Sequence, residues 1–331
     1  MNTETCQRMS WSGRAALRLF AAGYEAIVVP SLGANVISLQ TMKDGHFINI
    51  LRTPPDDRSL LADPYAYGIP VLFPANRVAG GGYRWDGVQY SFPKNYPNDV
   101  HIHGVLHNRE WETEDFGARE GTAWATFGLD TDRDPALRRH FPVSMEIRLH
   151  VSLDDRGLTH RFSVLNKSAT KEIPAGLAYH TALRAHFCDD QPGTRLHVPL
   201  QGRCVDDETD RLPNGQVAPL DDFESRIALP QGADPLEKVV DTLYTARPGT
   251  SQAVLRDGQS GYEVVYQAGP EYQYWILWNQ TAKEGFIAVE PQTWLTNAMH
   301  RPSPQKDGVI FVPPGQEWSS ECSIFVRPVK E

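Results

Sequence analysis

Cysteine is sparse in this chain, and its four residues, Cys6, Cys188, Cys204 and Cys322, lie far apart with no C-x-x-C pair. That usage fits buried or inert thiols in a reducing compartment. Long apolar runs are missing too. Residues 15–28 are apolar in part, but Arg18, Tyr24 and Glu25 interrupt them. No run approaches the roughly 20 apolar residues that span a bilayer, and no secretory apolar segment opens the chain. There is no basic stripe: the net charge is −9 and the pI about 5.7. That balance argues against nucleic acid as a partner and reads as surface solubility. Helical patterns are scarce, and no fixed-period repeat, low-complexity tract or charge block occurs. These absences predict a cytoplasmic protein with neither nucleic-acid nor membrane partners.

What is present is alternation. The chain has 331 residues, 40% of them hydrophobic, enough to bury a large core. With so little helical patterning we expect one β domain over residues 1–331. Val143, Met145, Ile147, Leu149, Val151 and Leu153 alternate with polar residues, as in a strand with one buried face. Asp154-Asp155-Arg156-Gly157 supplies a turn, and Leu158, Phe162 and Val164 carry the return strand. Asp44-Gly45, Asp86-Gly87, Asn214-Gly215, Asp257-Gly258 and Asp307-Gly308 offer further turns. Glu317–Val326 reads as a terminal strand, and a short helical turn is predicted near Asp57–Ala62. Many strands with short turns imply a sandwich or barrel. Two loop-rich stretches, Thr53–Pro70 and Asp206–Leu236, are too long for simple hairpins. They are either rims over a site or surface excursions.

Three segments carry chemistry. Asn76-Arg77 follows an apolar run, and its arginine fork suits sugar hydroxyls or a phosphate, or else a surface ion pair. Gly80-Gly81-Gly82 matches neither a dinucleotide fingerprint nor a P-loop and reads as a turn. His101-x-His103 lies in a strand-like stretch, so both rings are expected on one face. With His107 or Asp99 they are metal candidates, but no further ligand motif reinforces a site. The alternative is a histidine donating to a substrate oxygen, with Gly104 leaving room for a ligand. His180 closes Ala175–Tyr179. Glu290 closes the apolar run Phe286–Val289, and Pro291 is expected to stop that strand. A carboxylate at such a strand end is desolvated, which raises its pKa and suits a general base. A carboxylate and an imidazole in one cleft form an acid/base pair. Among the aromatics Tyr272, Tyr274, Trp275, Trp278 and Trp294, either Trp278 or Trp294 is the candidate platform for the C–H face of a sugar.

Taken in order, these segments resemble the aldose 1-epimerases, or mutarotases. The likeness covers Gly33–Leu39, Asn76-Arg77 with the turn to Asp86-Gly87, Tyr90 and Asn95, His103-Gly104, Gly176–His180, Val240-Asp241 and Glu290-Pro291-Gln292. The resemblance implies a large antiparallel β-sandwich, a supersandwich, with a groove across one sheet. It implies Glu290 as general base and His180 as general acid, with His103, Arg77 and Asp241 holding the sugar; Asn76, beside Arg77, and the candidate platform Trp278 complete the expected sugar contacts. It implies no metal and no organic cofactor, and a small-molecule sugar as partner of a monomer or homodimer. Val105 and Thr181-Ala182-Leu183 depart from the family pattern, so His186 stands as an alternative acid. Some relatives act on hexose 6-phosphates, which would give Arg77, Arg84 or Arg184 a phosphate to hold. A non-catalytic carbohydrate-binding protein on the same fold is the reading from another class.

Overall fold

The computed structural model describes residues 4–188 and 193–329. The alternation read in the sequence becomes the strand Met145–Asp154, whose residues are buried and half-buried in strict turn. Met145, Ile147, Leu149, Val151 and Leu153 form its inner face. Each such side chain contributes about 1.5–3 kcal/mol when taken out of water. Its partner Gly157–Asn166 pairs with it from Asp154↔Gly157 to Met145↔Asn166. Around this hairpin an eight-stranded sheet is ordered Glu112–Arg119, Thr122–Asp130, Met145–Asp154, Gly157–Asn166, Glu317–Pro328, Tyr262–Gln267, Gln252–Asp257, Thr194–His197. Its neighbours are antiparallel throughout.

A second eight-stranded sheet runs Pro213–Ala218, Leu200–Asp206, Asp241–Ala246, Tyr274–Trp278, Phe286–Gln292, Ala178–Tyr179, Val71–Leu72, with Thr181–Arg184 also paired to Phe286–Gln292. It too is antiparallel. One hydrophobic cluster takes side chains from both sheets, among them Phe127, Leu149 and Phe162 from the first and Trp275, Leu277 and Val289 from the second. A polar contact also bridges the layers: Thr181 Oγ1 donates to Tyr266 Oη at 3.0 Å. This is the expected antiparallel β-sandwich. A five-stranded antiparallel sheet, Thr5–Trp11 to His46–Asn49, adds to it at the N-terminal end. No helix among the described residues is long and apolar enough to cross a membrane.

Several local readings need correction. The Asn214-Gly215 pair lies inside the strand Pro213–Ala218 rather than at a hairpin tip. The strand bearing Glu290 does not stop at Pro291 but pairs onward to Gln292, opposite Tyr274. His101 and His103 do not share a strand face. The strand ends at Ile102, and His103 turns into the left-handed region with φ +68°. His101 turns inward, where Nδ1 lies 2.6 Å from the Pro93 carbonyl oxygen, while His103 goes elsewhere. Gly104 makes no room for a ligand either. A Cβ there would meet the Phe73 carbonyl oxygen at 2.3 Å, so glycine is required for close backbone approach.

Candidate active site

The register of the second sheet assembles a cluster of polar side chains. Leu243 pairs with Ile276, which pairs with Glu290; one step along, Asp241 pairs with Trp278, which pairs with Ala288. Side chains two apart share a face, so Asp241, Leu243, Ile276, Trp278 and Glu290 all face the same way. On the other flank Ala178 pairs with Gln292 and Thr181 with Val289. His180 therefore falls beside Glu290, and its Nε2 lies 3.1 Å from Glu290 Oε1. Both side chains are buried.

These residues line a cavity of about 340 Å³, together with Asn76, Arg77, His103, Asp63, Tyr65, Asn95, Tyr96 and Asp206, among others. Asn76, Arg77, His103, His180, Asp241, Trp278 and Glu290 thus come together. His186 does not: its Nδ1 lies 3.3 Å from Thr194 Oγ1, away from the cavity. Trp294 is also absent from the lining. Its indole packs on Gly176, where a Cβ would come within 2.0 Å, and its Nε1 donates to the Ala75 carbonyl at 3.0 Å. Arg84 and Arg184 do not reach the cavity. Asp99 pairs with Lys94 at the surface at 3.1 Å. Among the described residues no group of three or more histidine, cysteine or acidic side chains is arranged to hold a metal ion.

Burial sets the protonation of the pair. It pushes the Glu290 carboxyl well up, and the nearby Asp241 pushes the same way while Arg77 opposes. Burial pushes the His180 imidazole down. Both effects favour neutral forms, so the pair rests with one shared proton. His103 is also held neutral, first by burial and then by repulsion from the other histidines and Arg77. The side chains around it are packed firmly. Tyr65 lies with its ring 4.4 Å from that of His103 and 5.5 Å from that of His180. Its Oη is 3.2 Å from His107 Nε2, and His107 Nδ1 is 3.2 Å from the His103 carbonyl oxygen. A carbonyl only accepts, so His107 donates from Nδ1 and accepts the Tyr65 hydroxyl proton at Nε2. Among the described residues, five polar atoms on the lining are buried without a partner: Asn76 Oδ1, Arg77 Nε, His103 Nδ1, His180 Nδ1 and Glu290 Oε2. Unsatisfied buried polar atoms are costly and rare. Their concentration on one cavity marks it as built for a polar ligand.

The sequence reading passed over Asp63, Tyr65, Tyr96 and Asp206. Asp63 and Tyr65 come from the loop-rich stretch Thr53–Pro70, which supplies part of the cavity's rim. Asp206 instead closes the strand Leu200–Asp206, and the stretch read as a loop from Asp206 to Leu236 holds the strand Pro213–Ala218 and the helix Asp222–Ile227.

The family model for aldose 1-epimerase matches residues 17–324. The chain belongs to the aldose 1-epimerase family. It is 25% identical to a galactose mutarotase-like protein of Clostridium acetobutylicum, with a TM-score of 0.90 and 98% of each chain covered. It superposes on a galactose 1-epimerase of Lactobacillus acidophilus NCFM with a TM-score of 0.73 over 97% of each chain, at 14% identity, a likeness of fold. The uncharacterised protein YphB of Escherichia coli (strain K12) is 24% identical over 275 residues, 78% of this chain and 83% of that protein. The two solved structures share the sandwich on which the Glu290–His180 cavity is built.

Proposed function

We propose that this protein is a cofactor-independent isomerase that interconverts the α and β anomers of a free sugar. The observation that carries the reading is the contact between His180 Nε2 and Glu290 Oε1, 3.1 Å apart and buried in a cavity with unpartnered polar atoms. A hemiacetal carbon bears two oxygens, the anomeric hydroxyl and the ring oxygen. A base and an acid this close can address both at once. The Glu290 carboxylate takes the hydroxyl proton, and the electron pair of that O–H bond forms the carbonyl. The C1–ring-oxygen bond breaks toward the ring oxygen, which takes its proton from His180. Rotation about C1–C2 and the reverse transfers close the ring on the other face.

The reactive state, ionised Glu290 with protonated His180, has the same proton count as the neutral resting pair. One transfer across a hydrogen bond converts them, and Arg77, facing Glu290, favours the ionised carboxylate. Arg77, His103, Asn76 and Asp241 supply hydroxyl contacts, and the half-buried Trp278 offers an aromatic face. The likeness to the galactose mutarotase-like protein of Clostridium acetobutylicum favours galactose among aldohexoses.

A neutral sugar suits the site better than a hexose 6-phosphate. Arg77 is the arginine lining the cavity, and three carboxylates besides Glu290, those of Asp63, Asp206 and Asp241, line it too. A phosphate dianion would meet more negative than positive charge. The test is polarimetry of freshly dissolved α-anomers of free and phosphorylated aldoses. Catalysed mutarotation of a free hexose is expected; a clear preference for glucose 6-phosphate, or no acceleration with any aldose, would refute the reading.

A further inference from the structure

Beside the cavity that holds Glu290 lies a second, open cavity, also of about 340 Å³. Asp206, Asp241 and Thr242 line both. Arg211 lines only the second, and it stands where the two meet. Its Nη2 donates to Asp241 Oδ2 at 3.0 Å and to the Asp241 carbonyl at 3.1 Å. Its Nε lies 3.6 Å from Asp206 Oδ2. The guanidinium therefore spans the two carboxylates that the cavities share. Its backbone is latched as well: Arg77 Nη1 donates to the Arg211 carbonyl at 3.4 Å, and Arg211 adopts a left-handed φ of +59°.

We infer that Arg211 is a partition that sets substrate size. With it in place the first cavity takes a single sugar ring; without it the two cavities join into one cleft for a reducing disaccharide. This rests on the anomer-interconverting reading above. A reducing disaccharide carries the same hemiacetal as a free hexose, so the Glu290–His180 pair needs no new chemistry. Its second ring is attached at an edge away from C1. Asp241, across the strand Tyr274–Trp278 from the strand of Glu290, marks such an edge. Arg203, Asp206 and Asp241 give the second cavity the charged hydrogen-bonding groups that sugar hydroxyls use.

The experiment compares the intact wild-type chain with Arg211→Ala and Arg211→Lys, using mutarotation of free hexoses and of reducing disaccharides linked through O4 or O6. The readout is the ratio of kcat/KM for disaccharide to that for hexose. The ratio cancels any loss common to both substrates when Asp241 loses its anchor. Arg211→Ala is expected to raise it about tenfold or more, the scale on which a pocket discriminates by size. Arg211→Lys is expected to lie between, because an ammonium can hold one carboxylate but lacks the fork to span two. An unchanged ratio in Arg211→Ala, with hexose activity present, overturns the partition. So does a wild-type chain that already treats both substrates alike. If the wild-type chain interconverts no anomers, the catalytic reading fails by itself. Calorimetric binding of the same sugars then decides the partition: a gain in disaccharide over hexose affinity in Arg211→Ala supports it, and no gain overturns it.

Discussion

Glu290 is buried beside a neutral histidine, so replacing its carboxylate with an amide separates proton transfer from packing. Glu290→Gln keeps the shape and removes the proposed base. We expect kcat to fall about 10²–10⁴-fold with sugar affinity largely retained and the circular-dichroism spectrum unchanged. Near-full turnover of the pure variant in polarimetry would show that another group accepts the proton. His180→Asn should cause a similar loss in kcat. His186→Asn should leave turnover nearly intact, because that ring lies against Thr194 and not in the cavity. The reverse ranking would move the acid to His186. The proton count of the pair also shapes the pH profile. In the proposed mechanism, activity requires one proton shared between Glu290 and His180; a second proton or the loss of the first would abolish it. Burial drives the histidine below its ordinary 6.5 and the carboxyl above its ordinary 4.5. The expected kcat/KM profile is a bell whose two limbs belong to the pair as a whole. A profile rising once, through an ordinary carboxylate pKa, would contradict this protonation scheme.

At the scale of elements, legibility followed periodicity. The hairpin Met145–Asn166 could be read because every second residue faces one core. The short helix Asp57–Ala62 stands where it was expected, and Asp56, which the reading did not single out, caps it by accepting from Ser59 N at 2.8 Å. The turns Ser12-Gly13, Ala22-Gly23 and Glu120-Gly121 were not read, because their first residues are not the Asn or Asp that usually announces a positive φ. His180 and Glu290 were legible as residues, but their contact depends on a register between segments over a hundred residues apart. Tyr65 and Arg211 were illegible because loops bring them in, and no period encodes a loop's path; Asp206 closes the strand Leu200–Asp206, whose end the Asp-rich sequence hides. Glycines at positive φ offer an element-scale test. Gly13 and Gly104 both need the left-handed region, where an ordinary residue costs about 1–2 kcal/mol. A Cβ at Gly13 meets nothing within 4 Å, whereas at Gly104 it meets the Phe73 backbone at 2.3 Å. Gly13→Ala should therefore cost about 1 kcal/mol and leave activity unchanged. Gly104→Ala should cost about 3 kcal/mol or more and displace His103. Urea midpoints and polarimetry on both variants check this; equal costs would mean that the Phe73 contact yields easily.

The whole molecule carries an electrostatic signature from the ionisable groups it buries. His107, His160 and His180 are buried, and desolvation lowers their pKa values from 6.5 to about 4, about 3 and about 3 respectively. Such a group is neutral in the folded chain and takes up a proton more readily in the unfolded one. Its contribution to stability is complete above the ordinary 6.5 and is lost as pH falls toward the lowered value. Glu290 has the opposite sign. Its carboxyl is raised, so its contribution is complete below the ordinary 4.5 and is lost as pH rises through the raised value. Stability should therefore fall on the acid side through the histidines and on the alkaline side partly through Glu290. His160 isolates the first effect because it lies outside the cavity, against Tyr179 with ring centres 5.5 Å apart, and its Nε2 has no partner among the described residues. His160→Leu removes one such proton while keeping an apolar body in the core. Each proton bound on unfolding gives a slope of about 1.4 kcal/mol per pH unit. The slope of unfolding free energy between about pH 6 and about pH 4 should therefore be shallower in the variant by up to that amount, with mutarotation at neutral pH little changed. Urea denaturation across a pH series measures both slopes. Parallel curves for wild type and variant would show that His160 binds its proton equally well in the folded chain, and that its burial does not govern the acid limit of stability.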